Sequence, residues 1–378
     1  MTRLGLGAAL AGIAFVVVGW ILVWPALVVV GVGSLVLVLV ALAYIVRRPH
    51  LHIERQIHPP RVSKGLPAIA FLRFTNTGAR TVPTTVAVQP YGALSVETVL
   101  PKLLGGQSGM RSYRLPTSRR GIFTVGPVEI SRADPFEFAR VTQRHGGSEQ
   151  IWVYPHIMPF RSLPSGMTRH LEGPSSDTAP EGSITFHRLR EYVVGDDLRM
   201  IHWKSTARTG RLMVRHNVDT SQPYTVVQLD LRPDRYSEET FEMAVDVSAS
   251  AVTCAAVGKS PVQLRTTNGT QVGGPRQREP QALLDQLTGV EPDADGSIVQ
   301  DLLLLRRERG GTALIVVTGQ LDAADLPAVA GLRRRFQRLV VVSVAPRGTA
   351  VPRFPGVTVV TGEDHDALCA AWNLEAVV

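Results

Sequence analysis

The chain opens with an uninterrupted apolar stretch from Leu4 to Val46, in which no side chain carries a charge. As a single helix, these 43 residues would be about 65 Å long, twice the roughly 30 Å hydrocarbon core of a bilayer. Trp24-Pro25 lies near the middle, and proline disfavours helical geometry both at its own position and in the residue before it. The pattern therefore predicts two membrane-spanning helices, Leu4–Val23 and Ala26–Val46, within a hairpin domain of residues 1–48.

Basic residues flank only the outer ends of this hairpin. Arg3 precedes the first span, Arg47 and Arg48 follow the second, and the turn between the spans has no charge. Because cytoplasmic flanks are enriched in Arg and Lys, we expect a two-span protein of the cell membrane whose soluble part is cytoplasmic. A cleaved signal peptide is the alternative, but the apolar run is too long for one and only one basic residue precedes it.

Residues 49–155 show the short, evenly spaced apolar runs of an all-β domain. Runs rich in β-branched and aromatic residues recur about every ten residues and are separated by Gly, Pro and Asn. This spacing predicts a small β-sandwich, followed by a linker and connector over residues 156–223. The predicted strands include Ala68–Phe74, Thr84–Val88, Gly121–Val125 and Ile151–Tyr154.

Over residues 224–378, apolar strands alternate with segments of helical periodicity. Tyr224–Leu229 ends at Asp230, and Ser237 is a favourable N-cap for a helix that starts with Glu238 and Glu239. Such alternation predicts a doubly wound parallel sheet with its functional loops at the carboxyl ends of the strands. We expect further strands at Pro261–Thr267, Ala313–Thr318, Leu339–Val344 and Val357–Val360, and helices near Gln281–Leu287, Ile298–Arg309, Asp322–Gln337 and His365–Trp372.

Charge divides the chain into two parts. The overall net charge of +8 arises from +1 at Arg3, +9 over residues 47–180 and −2 over residues 181–378. The basic excess thus adjoins the hairpin, where it would face anionic lipid headgroups or form a solvated basic face, and we expect no nucleic-acid partner. Cys254 and Cys369 lie far apart in sequence, which excludes a disulfide scaffold and fits a reducing compartment.

The connector contains the most distinctive segment of the chain, from Phe186 to Leu212. It resembles the signature of the DUF58 family, which has the form R-x-Y-x-x-G-D-x-x-R-x-I-x-W-x-x-[ST]-A-R. The membrane hairpin, the upstream Asp134-Pro135-Phe136 and the alternating C-terminal half are also similar to that family. The candidate partner-binding residues of this signature are Arg190, Tyr192, Gly195, Asp196, Asp197, Arg199, Trp203, Lys204 and Arg208.

The resemblance implies an architecture and a type of partner. Members of the family are similar to von Willebrand factor A domains in their C-terminal half and are commonly associated with AAA+ ATPases of the MoxR type. The chain is therefore expected to combine a membrane α-hairpin, an all-β sandwich and a von Willebrand A-like α/β domain. Its expected role is that of a non-enzymatic adaptor, which docks partner proteins at the membrane together with a MoxR-type ATPase.

A von Willebrand A domain binds a divalent cation through Asp-x-Ser-x-Ser after its first strand, with a Thr and an Asp from other loops. The aligned segment here begins at Asp230 and places Arg232 and Asp234 at the two serine positions. No carboxylate follows the strand that ends at Thr318 until Asp322. We therefore expect Asp230 to pair with an arginine, and no cofactor. The alternative is a partial Mg²⁺-dependent binding site made by Asp230, Asp234 and Thr318.

A third interpretation is a hydrolase in which His202 is a general base oriented by Asp196 or Asp197. Against it, the cations and anions of this segment alternate, as they do in a connector held by ion pairs or in a surface that a partner recognises. These two alternatives remain open. The sequence has neither a Gly-x-Ser-x-Gly elbow nor a Gly-x-x-x-x-Gly-Lys loop, so we do not expect ATP hydrolysis by that route.

Overall fold

The computed structural model describes residues 1–46, 50–163, 186–193, 198, 201–218, 224–274, 278–308, 310–320, 322, 324–344 and 355–376. The chain forms two compact units, Met1–Tyr154 and Pro155–Val378. The first unit holds the apolar helices and the β-rich part. The second holds the signature segment and the α/β sheet.

The apolar stretch forms two antiparallel helices, α1 (Arg3–Ile21) and α2 (Pro25–Val46). Both are long and apolar enough to cross a membrane. Pro25 begins α2, a position where its missing N–H leaves no helical hydrogen bond unmade. A Cβ built on Gly31 would lie 2.7 Å from the carbonyl oxygen of Gly12, so the two helices approach closely at these glycines.

The β-rich part of the first unit consists of two sheets. Along β1 (Leu51–His58), buried and exposed residues alternate strictly, as expected for a strand with one solvent face. The smaller sheet has the order β1, β3 (Ala68–Asn76), β6 (Ser108–Leu115). The larger sheet has the order β2 (Arg61–Ser63), β10 (Glu149–Tyr154), β7 (Gly121–Val125), β4 (Thr85–Tyr91), β8 (Val128–Ala133), β9 (Arg140–His145), with β5 (Leu94–Leu100) paired to β4.

Apolar side chains of the two sheets meet in shared clusters. Phe74 of β3 lies in one cluster with Ala87 of β4 and Ile130 of β8, while Ala70 of β3 lies in another with Val153 of β10. The sheets therefore pack face to face, in the sandwich arrangement that the strand spacing predicted.

The signature segment forms a two-stranded sheet that encloses a short helix. Strand β11 (Phe186–Glu191) pairs antiparallel with β12 (Met213–Val218), and α3 (Trp203–Thr209) lies between them in the sequence.

The remainder of the second unit is a six-stranded sheet with helices. Its order is β15 (Gln271–Gly273), β14 (Val262–Thr266), β13 (Thr225–Leu229), β16 (Ala313–Thr318), β17 (Arg338–Ser343), β18 (Thr358–Thr361). All neighbouring pairs are parallel except β14 and β15, so the sheet has one antiparallel edge strand that the sequence pattern did not predict. The helices are α4 (Glu238–Val257), α5 (Gln281–Thr288), α6 (Ile298–Leu305), α7 (Leu326–Ala330) and α8 (His365–Glu375).

Two helices are shorter than the sequence pattern predicts. The expected helix Asp322–Gln337 is reduced to α7, because Pro327 lies in its first turn and Gly331 follows its last residue. Helix α6 ends at Leu305 rather than at Arg309.

Helix α4 is buried on more than the single face that its apolar spacing indicates. Besides the apolar Phe241, Ala244 and Val245, the structure buries Asp246 and Ser250. The helix is long and apolar enough to span a membrane, yet it contacts β13 and β14 of the α/β sheet. Its apolar composition is accounted for by this position in the core of the unit.

Candidate functional site

The parallel sheet has its topological switch point between β13 and β16. The chain leaves β13 to form β14 on one side and later forms β16 on the other side. In open α/β sheets, ligands bind in the crevice outside the carboxyl ends of strands at this point. Asp230 follows β13 and Thr318 ends β16, and the Thr318 hydroxyl donates to Oδ2 of Asp230 at 2.9 Å. The structure thus brings together two of the three predicted metal ligands.

Arg232 fills this corner with its guanidinium. Its Nη2 donates to Oδ2 of Asp230 at 2.7 Å and to Oδ2 of Asp325 at 3.0 Å, and its Nε donates to Oδ1 of Asp230 at 3.0 Å. The predicted pairing of Asp230 with an arginine is therefore confirmed. We call the set of Asp230, Arg232, Thr318 and Asp325 the arginine corner.

The arginine corner is a largely buried set of charges. The Arg232 side chain is 15% exposed, whereas Asp230 is fully buried and Asp325 nearly so. Burial on its own lowers the pKa of Arg232, but the hydrogen bonds and negative charges of Asp230 and Asp325 outweigh it and raise the pKa. The guanidinium therefore stays charged and neutralises both carboxylates.

This arrangement does not fit a divalent cation. Mg²⁺ requires about six oxygen ligands in octahedral geometry, and the space between the two carboxylates is taken by guanidinium nitrogens. Across the described parts of the chain, no group of three or more His, Cys, Asp or Glu side chains is placed to hold a metal.

Asp234, the third predicted metal ligand, lies on a single 3-10 turn, Pro233–Arg235. Its side chain is mostly exposed, and its carboxylate lies 3.0 Å from Nε of Arg235. Arg235 also donates to Asp322 at 2.6 Å. Asp234 therefore contributes to an ion-pair network beside the arginine corner.

Close packing explains why no carboxylate follows Thr318 directly. A Cβ built on Gly319 would overlap the carbonyl oxygen of Arg235, so the 3-10 turn lies directly against this position. Tyr236 follows this 3-10 turn, and its hydroxyl donates to the carbonyl oxygen of Asp230 at 2.7 Å. Burial, and then the negative charge of Asp230, raise the pKa of Tyr236 well above its ordinary value.

Sequence reasoning missed Asp325 and Tyr236. Asp325 lies just before α7, in the stretch that was predicted as a continuous helix from Asp322. Tyr236 immediately precedes the N-cap Ser237, and nothing in its sequence context indicates a contact with Asp230. Both contacts join residues through the tertiary fold rather than through a local pattern.

The signature segment places its predicted partner-binding residues in a different environment. Helix α3 contains no buried residue, and the indole of Trp203 is 68% exposed. Lys204 and Arg208 are exposed on the same helix, while Tyr192 is half-buried and its N–H donates to the carbonyl of Leu212 at 2.8 Å. The backbone of Arg190 pairs with Val214 in the β11–β12 ladder.

His202 caps α3. Its Nδ1 accepts from the N–H of Ser205 at 3.2 Å and lies 2.8 Å from the Ser205 hydroxyl. Gly195, Asp196, Asp197 and Arg199 lie outside the described residues. The hypothesis that His202 acts with Asp196 or Asp197 therefore stays a prediction.

Taken together, these features define a protein with an apolar helical hairpin, a β-sandwich and an α/β domain whose switch point is filled by an arginine. The model of the family "Protein of unknown function DUF58" matches residues 188–369, from the signature segment to the last helix. The chain is also 28% identical over 142 residues to the uncharacterized protein YeaD of Bacillus subtilis (strain 168). That match covers 37% of this chain and 34% of YeaD, so it spans about a third of the curated relative's length.

Solved structures show only weak similarity. The CARDB domain of the PF1109 protein from Pyrococcus furiosus matches 28% of this chain and 93% of that chain, with 13% identity and a TM-score of 0.22. Cwp6 from Clostridium difficile matches 85% of this chain and 39% of that chain, with 11% identity and a TM-score of 0.19. Scores this low support no conclusion about fold or function.

Proposed function

We propose that this protein is a membrane-anchored, cytoplasm-facing adaptor that docks a partner protein through α3 of its signature segment. The proposed partner is an AAA+ ATPase of the MoxR type, which follows from the resemblance of the signature to that of the DUF58 family. The proposed role is non-enzymatic: the signature segment presents a binding surface.

The exposure of Trp203 is the observation that supports this proposal most directly. Its indole is 68% exposed, on a helix without a buried residue. Val193 and Leu198 of the same segment are each 62% exposed. Tryptophan is among the residues most enriched in binding hot spots, where it fills a pocket on the partner. Exposure of these apolar side chains to water is unfavourable, and burial against a partner protein would remove that cost.

The charges around Trp203 indicate the kind of surface it would meet. Lys204, Arg208 and Arg211 are exposed nearby, and Arg211 forms an ion pair with Glu191 at 2.6 Å. A partner with an apolar pocket rimmed by carboxylates would complement this arrangement. Such complementarity mainly increases the association rate and the selectivity of binding.

The arginine corner supports binding that does not depend on a metal. In a von Willebrand A domain, the cation accepts an acidic group of the partner as its last ligand. Here Arg232 already neutralises Asp230 and Asp325 from within the domain. We therefore propose that the corner stabilises the carboxyl edge of the sheet and that docking proceeds without Mg²⁺.

The test uses the full chain in lipid nanodiscs and a co-encoded MoxR-type ATPase, measured by biolayer interferometry with ATP, with ADP and without nucleotide. We expect the ATPase to bind in at least one nucleotide state. Any binding seen without nucleotide should have the same affinity with and without EDTA. Trp203→Ala should weaken binding by roughly 30-fold or more, which is the loss of about 2 kcal/mol typical of a hot spot. Leu374→Ala removes another exposed apolar side chain of the same unit and should leave binding unchanged.

Three results would count against the proposal. Failure to bind in every nucleotide state would remove the ATPase as the partner. Equal affinity of Trp203→Ala and the wild type for the ATPase would show that α3 is not the docking surface. Loss of nucleotide-free binding in EDTA would favour the Mg²⁺-dependent alternative.

A further inference from the structure

Two contacts hold one edge of the β-sandwich against the same end of the helical hairpin. The N–H of Thr2, which caps the start of α1, donates to the carbonyl of Phe138 at 3.0 Å. The guanidinium carbon of Arg132 lies 4.4 Å from the ring centre of Tyr44, in the last turn of α2. Because the helices are antiparallel, both contacts lie at one end of the hairpin. In a hairpin that spans the bilayer, the β8–β9 turn therefore lies on the membrane-surface side of the sandwich.

This turn has the features of a membrane-interface element. Phe136 is 59% exposed, and its ring stacks on Phe138 with centroids 5.8 Å apart. The buried carboxylate of Asp134 shapes the turn by accepting from the N–H groups of Phe136 at 2.9 Å and Ala139 at 2.6 Å. Exposed aromatic rings at the end of a membrane span favour the headgroup region of the bilayer.

A basic cavity opens on the same edge of the sandwich. It has a volume of about 550 Å³, within the range of small-ligand pockets. Its charged or titratable lining residues are His50, Arg80 and Arg132, and none of its lining residues, all of which are described, is a carboxylate. We call this cavity the Arg80–Arg132 pocket. Its charge selects for an anion.

Buried Asn76 holds one wall of the pocket in place. Its Nδ2 donates to the carbonyls of Arg80 at 2.7 Å and Leu104 at 3.1 Å, and its Oδ1 accepts from the N–H of Gly78 at 3.1 Å. Asn76 is 1% exposed, so these bonds are shielded from water. The backbone at Arg80 is therefore positioned before any ligand binds, which lowers the entropic cost of binding.

We propose that the Arg80–Arg132 pocket binds the headgroup of an anionic phospholipid. Guanidinium groups match the geometry of phosphate oxygens and can bind them through two parallel hydrogen bonds. A soluble phosphate ester has the same chemistry, but the position of the pocket favours lipid. His50 follows the end of α2 by four residues, which span at most about 14 Å, and Arg132 stacks on Tyr44 of that helix. The inference rests on membrane anchoring and is independent of the docking role of α3.

The test is native mass spectrometry of the full chain in detergent, titrated separately with phosphatidylglycerol and phosphatidylcholine. We expect one phosphatidylglycerol to be retained per chain, and phosphatidylcholine to bind at least tenfold more weakly. Arg80→Gln should weaken phosphatidylglycerol binding roughly fivefold, the contribution of one basic side chain near an anionic surface. The double variant Arg80→Gln/Arg132→Gln should weaken it roughly 25-fold by the same reasoning.

A matched control removes two other arginines of the same unit. Arg111 and Arg114 are exposed on β6 and do not line the pocket, so Arg111→Gln/Arg114→Gln should retain the wild-type affinity. Arg80→Gln alters an exposed side chain and keeps the test valid even if the double variant unfolds.

The proposal is overturned by equal retention of the two lipids, or by equal losses in Arg80→Gln and the control. A third arm adds glycerol 1-phosphate to phosphatidylcholine-loaded protein. Negligible binding of this soluble ester supports a lipid ligand, whereas binding as tight as that of phosphatidylglycerol would reassign the pocket to a soluble phosphate compound.

Discussion

Nη2 of Arg232 lies 2.7 Å from Oδ2 of Asp230 and connects that buried carboxylate to a second one, Asp325, 3.0 Å away. The two carboxylates come from loops 95 residues apart in the chain, and one guanidinium neutralises both. The crevice where an α/β sheet ordinarily receives a ligand is therefore occupied by a side chain of the protein itself.

Removal of Arg232 should destabilise the α/β sheet strongly. Arg232→Met leaves the buried carboxylates of Asp230 and Asp325 without the guanidinium that neutralises them, and the loss of one member of a buried ion pair costs about 3–5 kcal/mol. Hydrogen exchange of the amides in β13 and β16 measures this change in the free energy of unfolding. Asp230→Asn/Arg232→Met should recover part of the loss. The control is Arg211→Gln, which removes the arginine of an exposed ion pair with Glu191 and should leave the free energy of unfolding unchanged. A similar loss of stability in both arginine variants would contradict the prediction.

Replacement of the guanidinium by a hydroxyl should create a response to Mg²⁺. In Arg232→Ser, the carboxylates of Asp230 and Asp325 and the Thr318 hydroxyl would be left as hard oxygen ligands. We expect Mg²⁺ to raise the melting temperature of this variant and to leave that of the wild type unchanged, measured by differential scanning fluorimetry at constant ionic strength. Ca²⁺ and Mn²⁺ titrations provide the comparison. A wild type that responds as strongly as the variant would show that Arg232 does not block cation binding.

Tyr236 should make the α/β domain sensitive to alkali. Burial raises its pKa in the folded state, so the unfolded chain, with a pKa near 10, loses this proton first. Its contribution to stability is therefore complete below about pH 10 and is lost as the pH rises further. Tyr236→Phe should be less stable at pH 7 by about 1 kcal/mol, through loss of the bond to Asp230, and should lose less stability above pH 10. Urea unfolding at pH 7, 10 and 11 tests both effects, and parallel pH profiles for the two proteins would refute the second.

Truncation of the two tryptophans of the second unit should change the free energy of unfolding by very different amounts. Trp372 is 1% exposed and stacks on Phe160 with ring centroids 4.5 Å apart, so Trp372→Ala should cost about 3–5 kcal/mol. Trp203→Ala should change the free energy of unfolding by no more than about 0.5 kcal/mol, because its indole is largely in water. Thermal and urea unfolding distinguish the two variants. A large loss in Trp203→Ala would assign α3 a role in the stability of the fold.

Asp246 should stabilise the position of the segment around His156, at the start of the second unit. Its Oδ1 accepts from the N–H of His156 at 2.7 Å, and its Oδ2 lies 3.0 Å from Nε2 of His365. Asp246→Ala removes this acceptor from the His156 amide, and a hydrogen bond to a charged group contributes about 1.5–3 kcal/mol. The His156 amide should then exchange with solvent faster. Asp366→Ala, an exposed neighbour of His365, is the control and should leave this exchange rate unchanged.

The sequence predicted the elements with strong periodicity well. The 43 uncharged residues required two spans, and strand–helix alternation correctly indicated a largely parallel sheet with Ser237 capping α4. The sequence pattern did not predict the antiparallel edge strand β15, which has only three residues. It also predicted too long a helix at α7, which is limited by Pro327 and Gly331. Burial of Asp246 on α4 was also missed, since an isolated carboxylate in an apolar helix gives no sign of its acceptor role.

For the candidate sites, the amino-acid sequence showed which residues follow the central strand, among them Asp230 and Arg232. From this it followed that Asp230 would pair with an arginine. The folded chain was needed to show that Asp325 completes the arginine corner, that Trp203 is exposed, and that Arg80 and Arg132 line one pocket. The two kinds of feature differ in the range of the interactions that produce them. Hydrophobic periodicity is encoded between near neighbours, whereas ion pairs and cavities join side chains that only the folded chain brings within a few ångströms.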